Sequence, residues 1–141
     1  MKVCIYGAGA IGGWIGSALA RAGCSVSVVA RGATLDALQL HGLRLQEGDR
    51  ITSQAVASSA LPADLGVQDL VVLAVKAPSL PDVARQIAPL LGAQTLVLTA
   101  MNGVPWWFLQ GFGGALAGTR LTSVDPDGTL AAALPAHRII G

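Results

Sequence analysis

Charge is scarce in this sequence. Asp, Glu, Lys and Arg make up only 12% of its 141 residues, nine basic against eight acidic, for a formal net charge of +1. With neither a basic stripe nor an acidic block, nothing argues for nucleic acid or an anionic membrane as a partner. Cysteine is almost missing as well. Cys4 and Cys24 match neither a zinc-ligand spacing nor a redox CxxC, so two reduced thiols and no metal site are expected. His41 has no second His, Cys or carboxylate at ligand spacing and is expected on the surface beside a turn. No apolar run approaches the roughly 18 residues of a membrane span. The N-terminus enters a strand-like run rather than a signal peptide, so a cytoplasmic protein is the simplest expectation. What is plentiful is apolar surface: 52% of residues are hydrophobic and the mean hydropathy is +0.60. The length allows one domain with a real core, and the excess points to burial against a surface outside this chain.

The stretch Lys2 to Gly12, KVCIYGAGAIG, reads as strand, glycine turn and helix start. Val3 to Tyr6 form a short apolar run suited to a buried parallel strand, and Gly7, Gly9 and Gly12 supply GxGxxG in the context that gives this motif meaning. Gly7 permits the tight turn, Gly9 lets the backbone approach a pyrophosphate, and Gly12 lets the helix lie close on the strand. The helix-start N–H groups then face the anion. The alternative is a Gly-rich turn of an αβ unit that binds nothing.

Ile11, Ile15 and Leu19, with Trp14 and Ala18, keep helical spacing up to Ala22, and Gly23 caps the run. Ser25 to Ala30 reads as the second parallel strand. In NAD-binding versions of this architecture an acid about 20 residues after the glycines holds the ribose hydroxyls. Here no acid precedes Asp36, and Arg31 follows the strand directly. Its planar guanidinium suits a 2′-phosphate and favours the phosphorylated cofactor, NADP(H), the alternative being a solvated loop charge.

Thr34 to Leu40 is expected as a short helix capped by Thr34 and stopped by Gly42. Leu43 to Gln46 and Ile51 to Ala57 resemble two strands across the polar turn Glu47 to Arg50, and Ser58 to Val67 a connector with a possible helical turn. Leu70 to Val75, the most apolar run, is expected as the central strand. Lys76 at its carboxyl end points toward the crevice where open α/β sheets bind ligands, unless it is a snorkelling charge at the sheet edge. A helix opened by Pro78 or Pro81 is expected to run to Leu91 and close at Gly92. Gln94 to Ala100 reads as another buried strand, ending in MNGVPWWF at the same carboxyl edge. Asn102 carries donors and an acceptor for a nicotinamide ribose or substrate carbonyl, although Asn-Gly is equally an ordinary turn signal. Of Trp106, Trp107 and Phe108, one is expected in the core and one toward a partner domain or subunit. Gly111 to Gly118 reads as a loop, Arg120 to Val124 as a strand, DPDG as a turn leading into Thr129 to Leu134, and His137 to Ile140 as a strand in which the chain stops. The whole is expected to be a single α/β domain of Rossmann type, residues 1–141, with a mostly parallel sheet and helices on both faces, truncated near its C-terminal end.

Taken together, KVCIYGAGAIGG, VVARG around Arg31, VKAPSL around Lys76, MNGVPWWF around Asn102 and SVDPDG near Asp127 resemble the N-terminal domain of the ketopantoate reductase (2-dehydropantoate 2-reductase) family. The resemblance covers essentially the whole chain. It implies an NADPH-dependent oxidoreductase that reduces ketopantoate, a small 2-oxo acid, to pantoate on the route to pantothenate and coenzyme A. It further implies that Gly7, Ala8, Gly9, Ala10, Ile11 and Gly12 bind the pyrophosphate, Arg31 and Lys76 the 2′-phosphate region, and Asn102 both cofactor and substrate. Backbone near Val124 would touch the nicotinamide half, and Lys76 would not be the proton donor. Members continue into a helical C-terminal domain carrying the general-acid lysine, further asparagines and a carboxylate, none of which this sequence contains. No catalytic residue is therefore expected in this chain, and the absent domain becomes an expected partner. Cofactor binding without efficient turnover is expected, with apolar surface around Trp106, Trp107 and the C-terminal edge favouring a homo-oligomer. A related 2-oxo acid or opine-type reductase, or a nucleotide-sensing module without chemistry, are the alternatives.

Overall fold

Among the described residues, six short strands, most of them rich in Val, Ile and Leu, build one parallel sheet, and two helices cover each of its faces. The computed structural model describes residues 1–111 and 114–141, so residues 112 and 113 of the expected loop lie outside the described residues. The elements are β1 (Lys2–Tyr6), α1 (Ala10–Arg21), β2 (Ser25–Val29), α2 (Gly32–His41), β3 (Leu43–Glu47), β4 (Arg50–Gln54), β5 (Ala57–Ser59), β6 (Gln68–Leu73), α3 (Leu80–Gln86), β7 (Leu91–Thr99), α4 (Thr129–Ala133) and β8 (Ile139–Ile140). The main sheet runs β5-β2-β1-β6-β7-β8, and β3 and β4 form a separate two-stranded ribbon. All five pairings in the main sheet are parallel. Counting only its own strands, the order is third, second, first, fourth, fifth, sixth, which is the doubly wound dinucleotide-binding order with its switch point between β1 and β6.

Strand alternation divides the core in two. Cys4, Tyr6, Val71, Leu73 and Val97 face α3 and α4 and pack with Leu80, Val83, Ile87, Leu130 and Leu134. Val3, Ile5, Val28 and Val72 face the opposite way, toward Leu38, Leu43 and the half-buried Ile15 and Leu19. Burying each such side chain stabilises the fold by roughly 1.5–3 kcal/mol. With both faces covered, β1 and β6 read as continuous apolar runs.

Several expected boundaries move, each for a local reason. Helix α1 turns Gly12, Gly16 and Ser17 inward, leaving Ile11 59% and Trp14 57% exposed. The expected apolar stripe keeps Ile15 and Leu19 against the core, while its Ile11 and Trp14 end gives way to close approach of the glycines: a Cβ at Gly16 would lie 2.9 Å from Leu43 Cδ2 and 3.0 Å from Ile5 Cγ1. Helix α2 begins at Gly32 with Arg31 as its N-terminal flank, two residues before the expected Thr34 cap. The run Ile51 to Ala57 splits, since Arg50–Gln54 pairs with β3 while Ala57–Ser59 crosses to the edge of β2. Helix α3 ends at Gln86 and is followed by a 3-10 turn at Ala88–Leu90, because Pro89 cannot donate to an α-helical ladder. Gly92 accordingly lies in β7 and closes no helix. Arg120 to Val124 forms no strand: Val124 and Asp125 N–H both donate to Leu121 O, at 2.9 Å each, making a turn. The edge of β7 that such a strand would need is taken by β8.

Candidate functional site

The glycine turn after β1 is built from one forced position, one close approach and one open one. Gly7 adopts φ +97°, and a Cβ there would stand 2.8 Å from Val75 Cγ1 and 2.9 Å from Ala74 O. A Cβ on Gly12 would meet Gly7 O at 2.0 Å. A Cβ on Gly9, by contrast, would find nothing within 4 Å. The backbone at Gly9 is therefore bare toward open space, as close approach of a large anion requires. Gly9 precedes α1 with no side-chain cap, and no acid occupies the first turn. The first-turn N–H groups lack intrahelical acceptors, and the positive end of a 12-residue helix faces the same space.

Backbone hydrogen bonds continue past the strand ends and align them. Gly7 N–H donates to Val29 O (3.0 Å), Ala74 N–H to Tyr6 O (3.0 Å) and Ala100 N–H to Leu73 O (2.9 Å). The residues after β1, β2, β6 and β7 consequently stand side by side at the carboxyl edge. A crevice of about 400 Å³ there is lined by Gly9, Ala10, Ile11, Lys76 and Asn102, among others. Residues far apart in the chain are thus brought to one groove. Lys76 is exposed and, among the described residues, pairs with no carboxylate. Asn102 is exposed beside Gly103, whose φ of +100° makes the Asn-Gly turn real as well.

Arg31 opens the other end of the edge. It is exposed after β2, and its Nη1 lies 3.7 Å from Asp82 Oδ2 on α3. A second cavity, about 220 Å³, is lined by Tyr6, Gly7, Ala30, Arg31, Val75 and Ser79. Lys76 does not line it, but Val75 borders both spaces. Tyr6 Oη is buried without an aligned hydrogen bond. Burial pushes its phenol above the ordinary value, and the nearby Arg31 guanidinium draws it partly back.

Beyond Asn102, Val124 joins the wall. Both residues line a cavity of about 300 Å³ with Met101, Val104 and Trp106, and a neighbouring one of about 350 Å³ with Leu80 and Ser123. Trp106 is the core member of its aromatic cluster: it is 2% exposed and its Nε1–H donates to Leu134 O at 3.2 Å. Trp107 is half-buried against Gly141. Among the described residues, the large exposed apolar side chains of this region include Val104, Phe108, Leu116 and Ile140, and neither tryptophan. His137 and His41 are exposed. Among the described residues no group of three His, Cys, Asp or Glu is placed to hold a metal, and no helix is long and apolar enough to cross a membrane.

Sequence reasoning missed three residues. Asp82 and Tyr6 join the Arg31 region only through folding. Asp125 is 2% exposed and accepts N–H bonds from Leu130 (2.9 Å) and Ala131 (3.0 Å), tying the loop after the aromatic cluster to α4. Its signal was present in DPDG, where two acids stand just before a helix start.

Known proteins share both pattern and shape. Residues 3–105 match the family described as ketopantoate reductase PanE/ApbA. A 2-dehydropantoate 2-reductase from Mesorhizobium japonicum is 51% identical over 142 residues, covering 100% of this chain and 44% of the relative. A crystal structure assigned as a ketopantoate reductase from Ralstonia solanacearum MolK2 superposes with a TM-score of 0.92 at 52% identity, covering 97% of this chain and 42% of that one. A PanE/ApbA family ketopantoate reductase from Ralstonia eutropha JMP134 gives a TM-score of 0.68 at 38% identity, over 74% of this chain and 35% of that one. The chain spans under half the length of these relatives.

Proposed function

This chain belongs to the ketopantoate reductase PanE/ApbA family, and from that premise we propose that it is the NADP(H)-binding part of an enzyme reducing ketopantoate to pantoate. The observation that carries the cofactor assignment is Arg31, which follows β2 where an NAD-type site would hold an acid, the first acid after the glycines being Asp36. The residues present fit such a cofactor. The bare backbone at Gly9 and the uncapped start of α1 receive the pyrophosphate, with Gly7, Ala8, Ala10, Ile11 and Gly12 shaping the turn. Arg31 receives the 2′-phosphate, with Lys76 as a second cation one strand over. Asn102 and backbone at Val124 bound the nicotinamide and substrate end. When bound, the nicotinamide supplies the hydride.

Reduction of a ketone also requires a proton for the developing alkoxide and exclusion of water. Lys76 stands in this reading at the cofactor, and His137 is exposed in the 3-10 turn Ala136–Arg138. We therefore place the proton donor in the part of the relatives that lies beyond this span. The test is a panel of 2-oxo acids with NADPH, offered to this chain and to a protein of the relatives' full length. Ketopantoate is expected to be the best substrate of the longer protein, while this chain binds NADPH without turnover. Brisk ketopantoate reduction by this chain alone, or none by the longer protein, contradicts the assignment.

A further inference from the structure

The Arg31 end of the crevice carries more charge than one phosphate contact needs. Asp82, in the first turn of α3, faces Arg31 across the groove: its Oδ2 is 3.7 Å from Arg31 Nη1, while its Oδ1 accepts from Arg85 Nη2 on the same helix. The three side chains are 56%, 43% and 63% exposed for Arg31, Asp82 and Arg85, so each is open to a ligand's field. Beneath them, Tyr6 is 3% exposed and lines the same cavity as Arg31, with its hydroxyl buried, without an aligned hydrogen bond, and with the Arg31 guanidinium as its nearby polar neighbour. A small cavity lined by a buried hydroxyl and an exposed cation suits a polar ligand better than side-chain packing.

We propose that Asp82 and Arg85 set how strongly Arg31 discriminates a 2′-phosphorylated adenosine from an unphosphorylated one, Asp82 weakening the preference and Arg85 restoring part of it. This rests on the reading of Arg31 as the 2′-phosphate contact. A phosphate monoester carries about −1.5 to −2 charge near neutral pH. Arriving at Arg31, it meets a carboxylate already beside that guanidinium, at a separation shorter than the ~8 Å screening length of physiological salt. Arg85, on the other carboxylate oxygen, cancels part of the repulsion. Adenosine without the 2′-phosphate brings no charge to this end and is indifferent to both residues.

The two substitutions therefore act in opposite directions on one ratio. A purely structural role would not do so, because losing the first-turn acid of α3 or its i,i+3 partner weakens the same helix. The experiment is calorimetric titration of adenosine 2′,5′-bisphosphate and adenosine 5′-monophosphate into the wild-type chain and its Asp82→Asn, Arg85→Ala and Arg31→Ala variants. Asp82→Asn is expected to tighten the bisphosphate several-fold and Arg85→Ala to loosen it several-fold, with the monophosphate unchanged in both. If both variants keep the wild-type ratio, or shift it the same way, while Arg31→Ala collapses it, the inference is overturned and the Arg31 reading stands. If Arg31→Ala leaves the ratio unchanged, the reading fails and the inference falls with it.

Discussion

Gly12 crosses Gly7 so closely that a Cβ on it would stand 2.0 Å from the Gly7 carbonyl oxygen. The same Cβ would meet Ala74 Cβ at 2.9 Å and Ile5 Cγ2 at 3.1 Å. Backbone is in the way on one side and the sheet on the other, so the turn and the helix that follows it are a single packed unit.

Gly12→Ala is expected to damage the fold itself. Overpacking costs about 1–3 kcal/mol where side chains can give way, and here a backbone carbonyl must move. Urea denaturation should show a loss at the upper end of that range or beyond, with nucleotide binding lost alongside.

Gly9→Ala is expected to separate binding from stability. Gly9 has φ −72°, which any residue tolerates, and its Cβ would touch nothing within 4 Å. Denaturation should shift by less than about 1 kcal/mol, the cost of an ordinary surface change. Affinity for NADPH should fall by at least about tenfold if, as proposed, the pyrophosphate lies where the added methyl group would stand.

Asp125→Ala tests the cap that seats α4 beside the aromatic cluster. It leaves the N–H groups of Leu130 and Ala131 without their acceptor, at a position 2% exposed. A loss of about 2–4 kcal/mol is expected by denaturation. Asp127, exposed and bonded to Thr129 N–H at 3.1 Å, should matter much less. Hydrogen bonds from Thr129 hold its carboxyl below the ordinary value of 3.8, so its small contribution is present above that pH and fades as the pH falls further.

Cys4 predicts an alkaline weakness. Burial in β1 pushes its thiol from 9.0 up to about 11. A raised folded-state value means that the neutral thiol's contribution is complete below pH 9, where the unfolded chain is also protonated, and is lost as the pH rises toward 11. Stability should decline by roughly 2–3 kcal/mol across that window. Cys4→Ala should start less stable but lack that part of the slope. Thiol labelling near pH 8 should modify the half-buried Cys24 while Cys4 waits for unfolding.

The fold was legible where physics is local. Strands β1 and β6, buried on both faces, announce themselves as apolar runs, and the glycines mark the turn because no other residue fits Gly7 or Gly12. The strand ends then located Arg31, Lys76 and Asn102 at one edge, since parallel strands bring their carboxyl ends together. Strand β5 escaped notice because Ala57–Ser59 carries no apolar signal and exists only through its pairing with the edge of β2. Arg120 to Val124 has a strand-like composition, yet the bonds to Leu121 and the buried Asp125 bend it into a turn. The Arg31–Asp82 pair was invisible for a similar reason: it depends on α3 lying opposite the end of β2, a distance no spacing in the sequence encodes.

The central claim is that Arg31 makes this a site for the phosphorylated cofactor, and fluorescence titration with NADPH and NADH measures it directly. The wild-type chain is expected to bind NADPH at least about tenfold more tightly than NADH, with Arg31→Ala reducing NADPH to the affinity of NADH. Equal binding of the two cofactors by the wild type, or NADPH affinity unchanged in Arg31→Ala, would contradict it.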